Sequence, residues 1–157
     1  MARDDELGRL PIDRTTADLR QLAAALDARL RAVAVVRREL PDDSGIVEGV
    51  DVDPHREDAV GVWWMHSAED IIVGLGKGRG WELPRSVETV EVVRSVVRQA
   101  VAGQIEVGRG RGVTLYRVRT SDGVVREDTH EGWAAFLLSM PWRPKMRWND
   151  AAPYDRD

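Results

Sequence analysis

Leu19, Leu22, Leu26, Leu30, Val33 and Val36 recur at spacings of three and four residues, and no other feature limits this chain's fold as much. That periodicity marks one face of an amphipathic helix. It runs on to Leu40 before Pro41 stops it, with Thr15 or Thr16 as the expected N-cap. The implied helix has about 24 residues, roughly twice the usual length, so part of its apolar face overhangs the core of a small domain. An overhanging stripe over residues 19–40 is a surface for pairing with itself or with another helix.

Strand signals follow. Residues 46–52, 59–66 and 70–76 are short, β-branched and partly alternating. Trp63 and Trp64 are adjacent, so within a strand they point to opposite faces and one must face outward or towards a second layer. Ser86 is placed to cap a second helix, residues 86–102, with Val90, Val93, Val97 and Val101 along one side and Gly103 as its left-handed end. So much valine opposes helix propensity by several tenths of a kcal/mol per residue, which leaves a strand as the alternative there. Residues 105–107, 113–119 and 124–128 read as strands, with Ser121, Asp122 and Gly123 as a hairpin turn. Residues 131–140 read as a short helix carrying Trp133, Phe136 and Leu137.

A chain of 157 residues without an internal repeat fits one domain. The expectation is a single α+β domain over 1–157: a mostly antiparallel sheet of five or six strands, the long N-terminal helix, the second helix packed on one face and the short C-terminal helix. Residues 1–14 read as a frayed leader and 141–157 as an irregular tail. The absence of cysteine excludes disulfides and thiolate metal sites. No apolar run reaches the ~18 residues of a membrane helix, and the charged start is unlike a signal peptide, so a cytoplasmic protein is expected.

The stretch VGLGKGRGWELP, residues 73–84, raises the question of a phosphate loop. Gly, rather than Ser or Thr, follows Lys77, and no third Gly falls where a dinucleotide fingerprint requires it. Gly74, Gly76, Gly78 and Gly80 instead repeat with period two, which in an extended chain bares one face for close approach. A hairpin tip is the alternative, and a nucleotide- or phosphate-binding role for residues 74–80 stays as a further one.

Catalytic signals are missing. His55, His66 and His130 stand apart from one another, the six serines lack a nucleophile elbow, and no cofactor motif occurs. Asp51, Asp53 and Asp58 around His55 lack the spacing of a calcium loop, so a solvated acidic loop is the simpler reading. A non-enzymatic protein without metal or cofactor is therefore expected.

Charge is more informative. Residues 39–58 hold eight acids and one base, a net −7, so the remainder sums to +3 against a total of −4. Such a block repels nucleic acid and steers a basic protein partner, which makes Asp51, Asp53, Glu57 and Asp58 candidate contacts. The same residues also suit ordinary solvated turns. Near the C-terminus Trp142 and Trp148 flank Arg143, Lys145 and Arg147, an interleaving used by protein hot spots and by single-strand platforms. Three cations are few for nucleic acid. Trp rings folding back to cap the core are the structural alternative.

The run GKGRGWELPRSVETVEVVRSVVRQAVAGQIEV, followed by a basic hairpin and the tail PWRPKMRW, resembles small uncharacterised proteins of high-GC bacteria similar to immunity proteins of polymorphic toxin systems. The resemblance covers the C-terminal two thirds and carries over no individual functional residue. It implies an inhibitor that neutralises a cognate toxin by surface binding, over an interface burying about 1,600 Å².

Overall fold

In a computed structural model, residues 9–41, 45–131 and 145–155 are described. The first helix, α1 (Arg14–Leu30), is capped by Asp13 rather than by Thr15 or Thr16. The Thr16 N–H donates to Asp13 Oδ1 at 2.9 Å, while the Thr16 hydroxyl turns back to the Pro11 carbonyl at 2.6 Å. Asp13 and Arg14 thus belong to the helix start and not to a leader; residues 1–8 lie outside the described part.

The helix has 17 residues and does not continue to Leu40. Past Leu30 the β-branched Val33, Val35 and Val36 take over, and β1 (Ala34–Glu39) pairs antiparallel with β2 (Glu48–Pro54) along its whole length. Stiff valine side chains gain more on a pleated surface than in a helix, and ladder bonds replace the helical ones. Leu19, Leu22, Leu26 and Leu30 are all buried in the protein's own core, so the leucine stripe is not a free face for self-association.

β3 (Val62–His66), β4 (Asp70–Leu75) and β5 (Trp81–Pro84) complete a five-stranded antiparallel sheet in the order β1-β2-β3-β4-β5. Next comes α2 (Val87–Val101), capped by the Ser86 hydroxyl, which accepts from the Thr89 N–H at 3.1 Å, and ended by Gly103 at φ 71°. β6 (Glu106–Gly110), β7 (Val113–Arg119), β8 (Val125–Glu131) and β9 (Arg147–Asp150) form a second antiparallel sheet in the order β8-β7-β6-β9. The expected single sheet is therefore two sheets, divided in sequence by α2.

That division explains the valines. α2 packs against α1, β3 and β7, and Val90, Val92, Val93, Val96, Val97 and Ala100 are all buried. A helix enclosed on several sides recovers by packing far more than the tenths of a kcal/mol its propensity loses. Trp64 is fully buried in the same core, whereas its neighbour Trp63 is half-buried on the opposite face.

Of the tail, residues 145–155 are described. Residues 147–150 form the edge strand β9, whose Trp148 is exposed and does not cap the core, while Tyr154 is buried in it. The Tyr154 hydroxyl donates to the Val60 carbonyl at 2.7 Å, and its N–H donates to the Val101 carbonyl at 3.0 Å. Burial and the charges of Asp53 and Asp51 push the phenol above its ordinary range, so the hydroxyl stays a donor. Of the expected short helix over 131–140, Glu131 ends β8 and the rest lies outside the described residues.

Candidate protein-binding face

Both helices cover one face of the first sheet, the face of Val50, Val52, Val62, Trp64, Ile71 and Val73. Among the described residues no element covers the other face. Strand alternation sends Val35 and Arg37 of β1, Asp51 and Asp53 of β2, Trp63 and Met65 of β3, Ile72 of β4 and Glu82 of β5 to that side. Met65 and Ile72 are directly opposed, as are Arg37 and Asp51. The result is a central apolar strip with Trp63, Met65 and Ile72, edged by carboxylates.

Glycine builds that strip. A side chain at Gly74 would collide with the Trp63 ring, so the ring lies over bare backbone; Gly80, just ahead of β5, approaches the same ring. The expected bare glycine face exists at Gly74, where the Trp63 ring of the neighbouring strand fills it. The period-two pattern then breaks, because Gly76 and Gly80 adopt φ 52° and 79° and residues 76–80 form the tip of the β4–β5 hairpin.

The amides of this tip are directed into the protein. Gly76 donates to the Gly61 carbonyl and Gly78 to the Leu75 carbonyl, both at 2.8 Å. Leu75 and Gly80 donate to the Asp128 carboxylate, each at 2.9 Å. The loop does hold an anion, and that anion is the chain's own. A depression of about 270 Å³ beside it is lined by Arg79, Gly80, Glu127, Asp128, Thr129 and Glu131, a carboxylate-rich wall that repels phosphate.

The acidic block divides on folding. Glu48 turns inward and takes a bidentate contact from Arg20, with the shortest N···O at 2.8 Å. Asp51 and Asp53 stay on the open face but share Arg37, at 3.0 and 3.4 Å. Glu57 is exposed in the β2–β3 connection, where Asp58 pairs with Arg56 at 2.8 Å. Asp42 and Asp43 lie outside the described residues. Among the described residues the block is thus less acidic than the count of −7 implies, because Arg20 and Arg37 from outside it pair with Glu48, Asp51 and Asp53.

Trp148 lies on the second sheet, over Gly108, with the Arg117 guanidinium 4.3 Å from its ring centroid. Arg117 also pairs with Glu127 at 2.8 Å, so the stack is fixed by acids on the same face. Trp148 therefore does not adjoin Asp51 and Asp53 on one sheet; Trp142 lies outside the described residues.

Beneath the open face sits a polar cluster that sequence reasoning did not assemble. The Arg85 guanidinium contacts His66 Nδ1 at 3.1 Å, the Ser67 carbonyl at 2.8 Å, Asp13 Oδ1 at 2.7 Å and the Thr16 hydroxyl at 2.8 Å. A guanidinium only donates, so Nδ1 accepts and the imidazole is neutral with its proton on Nε2. Burial, helped by the positive charges of Arg85 and Arg20 and opposed by Glu48, lowers the His66 pKa to about 4. Burial also raises Asp13, but the Thr16 amide and Arg85 outweigh it and hold that carboxyl below its usual range. The cluster ties α1, β2, β3 and the start of α2 together. It is a structural rivet, since none of its atoms is paired with an adjacent nucleophile in the manner of a catalytic triad.

Among the described residues no group of three or more His, Asp or Glu side chains is arranged to hold a metal ion, and no helix is long and apolar enough to cross a membrane. In comparisons with family models, curated proteins and solved structures, nothing matches this chain.

Proposed function

We propose that this protein is a binding protein of the immunity type, which neutralises a basic protein partner, a cognate toxin, by covering it with the open face of the first sheet. The observation that carries this reading is the uncovered strip of Trp63, Met65 and Ile72 with Asp51, Asp53 and Glu82 around it. Aromatic and Met side chains at the centre and charge at the rim is the usual anatomy of a protein interface. The carboxylates favour a basic partner and set the rate of encounter, while the apolar centre sets the lifetime of the complex.

Trp63 suits a hot spot because its ring is already immobilised on Gly74, so little side-chain entropy is lost on binding. Cytoplasmic action follows from the same reading. The test begins with the partner captured from the native cell. Co-expression with this protein relieves the partner's toxicity, and neutralising Asp51, Asp53, Glu57 and Asp58 slows association and flattens its salt dependence. Toxicity that persists, or kinetics unchanged by the four substitutions, contradicts the proposal.

A further inference from the structure

The second sheet ends in a row that sets two arginines against each other. Arg147 of β9 is directly opposite Arg109 of β6, Arg109 is opposite Thr114 of β7, and Thr114 is opposite His130 of β8. Residues opposed in an antiparallel sheet share a face, so all four side chains rise on the same side. Arg111 sits in the β6–β7 turn at that end, and Lys145 lies just ahead of β9. The hairpin tip carrying Lys77 and Arg79 abuts the adjoining row of the same face, where Gly76 meets Tyr116 and Gly78 meets Asp128.

Lys77, Arg79, Arg109, Arg111, Lys145 and Arg147 are all exposed. None forms an ion pair or side-chain hydrogen bond among the described residues, in contrast to Arg20, Arg37, Arg56, Arg85, Arg117 and Arg126. Opposing two arginines in register costs stability. Among the described residues nothing offsets that cost, and an anionic partner would.

The geometry points to an acidic, extended protein segment as the occupant of this basic end. The row crosses three strand spacings, about 14 Å, which is the reach of roughly four extended residues. A single-stranded nucleic acid is disfavoured because, among the described residues, the row has no exposed aromatic for base stacking: Trp148, next to Arg147, points to the opposite face. A small anion is disfavoured because the neighbouring depression is walled by Glu127, Asp128 and Glu131. This surface is separate from the open face of the first sheet and opposite to it in charge, so the protein can engage partners of both signs.

The test uses the full chain and two probes, deca-glutamate and single-stranded decathymidylate, titrated at low and then high salt. Deca-glutamate binds at low salt, and replacing both arginines (Arg109→Gln with Arg147→Gln) weakens it by about three- to tenfold, as expected for two exposed charge contacts. Both side chains are exposed, so the double variant keeps its fold and melts no lower than the parent. Asp51→Asn with Asp53→Asn leaves deca-glutamate binding undiminished, which separates this surface from the proposed toxin-binding face. Tighter binding of decathymidylate assigns the surface to nucleic acid and overturns the inference. So does failure of deca-glutamate to bind, or binding indifferent to the double substitution.

Discussion

The Gly80 N–H donates to Asp128 Oδ1 at 2.9 Å, and this bond crosses from the first sheet to the second. With the Leu75 N–H on Oδ2 and the Trp81 indole N–H on the Glu127 carbonyl at 2.6 Å, it fastens the β4–β5 hairpin onto β8. Charge-assisted bonds from backbone amides to a buried carboxylate are strong and leave expensive orphans when broken. The same hairpin carries the glycines under Trp63, so the clamp holds the floor of the proposed binding face.

Removing the clamp is accordingly costly. Asp128→Ala orphans the amides of Leu75 and Gly80 and is expected to lower stability by about 2–4 kcal/mol. Urea unfolding monitored by tryptophan fluorescence checks this, and a loss under about 0.5 kcal/mol, the range of ordinary surface substitutions, contradicts it.

Gly74→Ala places a methyl group where the Trp63 ring lies. Displacing the ring is expected to cost about 1–3 kcal/mol. In a Trp63→Ala background the added methyl group has room, so the double-mutant cycle should be strongly non-additive. Additive effects would mean that the ring and the glycine are energetically independent.

Much of this was legible in the sequence. Strand alternation and the turn residues located most strands of both sheets, and the Ser86 cap and Gly103 end located α2. The Trp63–Trp64 pair foretold one inward and one outward ring. The end of α1 was not legible, because Leu30, Val33 and Val36 satisfy helical spacing whether or not the helix continues, and only pairing with β2 decides for a strand. The division into two sheets depends on α2 packing between them, which local pattern does not encode. Nor does composition show that Glu48 of the acidic block turns inward to Arg20. The clamp on Asp128 joins residues 48 apart and had only the glycine spacing as a trace.

Acid should weaken the fold through His66. Its pKa is about 4 folded against 6.5 for an ordinary histidine, so the unfolded chain binds more protons in between. Stability is complete above pH 6.5 and falls as pH drops from there to about 4, by up to about 3 kcal/mol from this group alone. His66→Gln removes that part of the slope. A variant that follows the same stability profile between these pH values as the parent would contradict this assignment.

Arg20 and Glu48 offer a sharper contrast. Arg20→Met strands a carboxylate whose side chain is only 6% exposed and should cost about 1–3 kcal/mol, discounted because Arg20 itself is 46% exposed. Adding Glu48→Leu to that variant should restore most of the loss, since apolar replacements of a buried pair are often neutral. Chemical denaturation of both variants checks the order, and a double variant weaker than the single one contradicts it.

Tyr154→Phe leaves the Val60 carbonyl without its donor at 2.7 Å and should lower stability by about 1 kcal/mol, whereas Tyr154→Ala empties a core position and should cost about 3–5 kcal/mol. Thermal melts of the two variants give the ranking, which reverses only if the end of the chain is not part of the core.

Whether the open face binds a protein is read from capture in the native cell, with the parent protein and a Met65→Lys variant run side by side at low and high salt. Met65 is 36% exposed, so the substitution preserves the fold while placing a cation at the centre of the open face. The account predicts one stoichiometric basic partner on the parent, released as salt rises, and its loss from the variant. A partner retained equally by Met65→Lys would place binding elsewhere on the molecule and contradict the account.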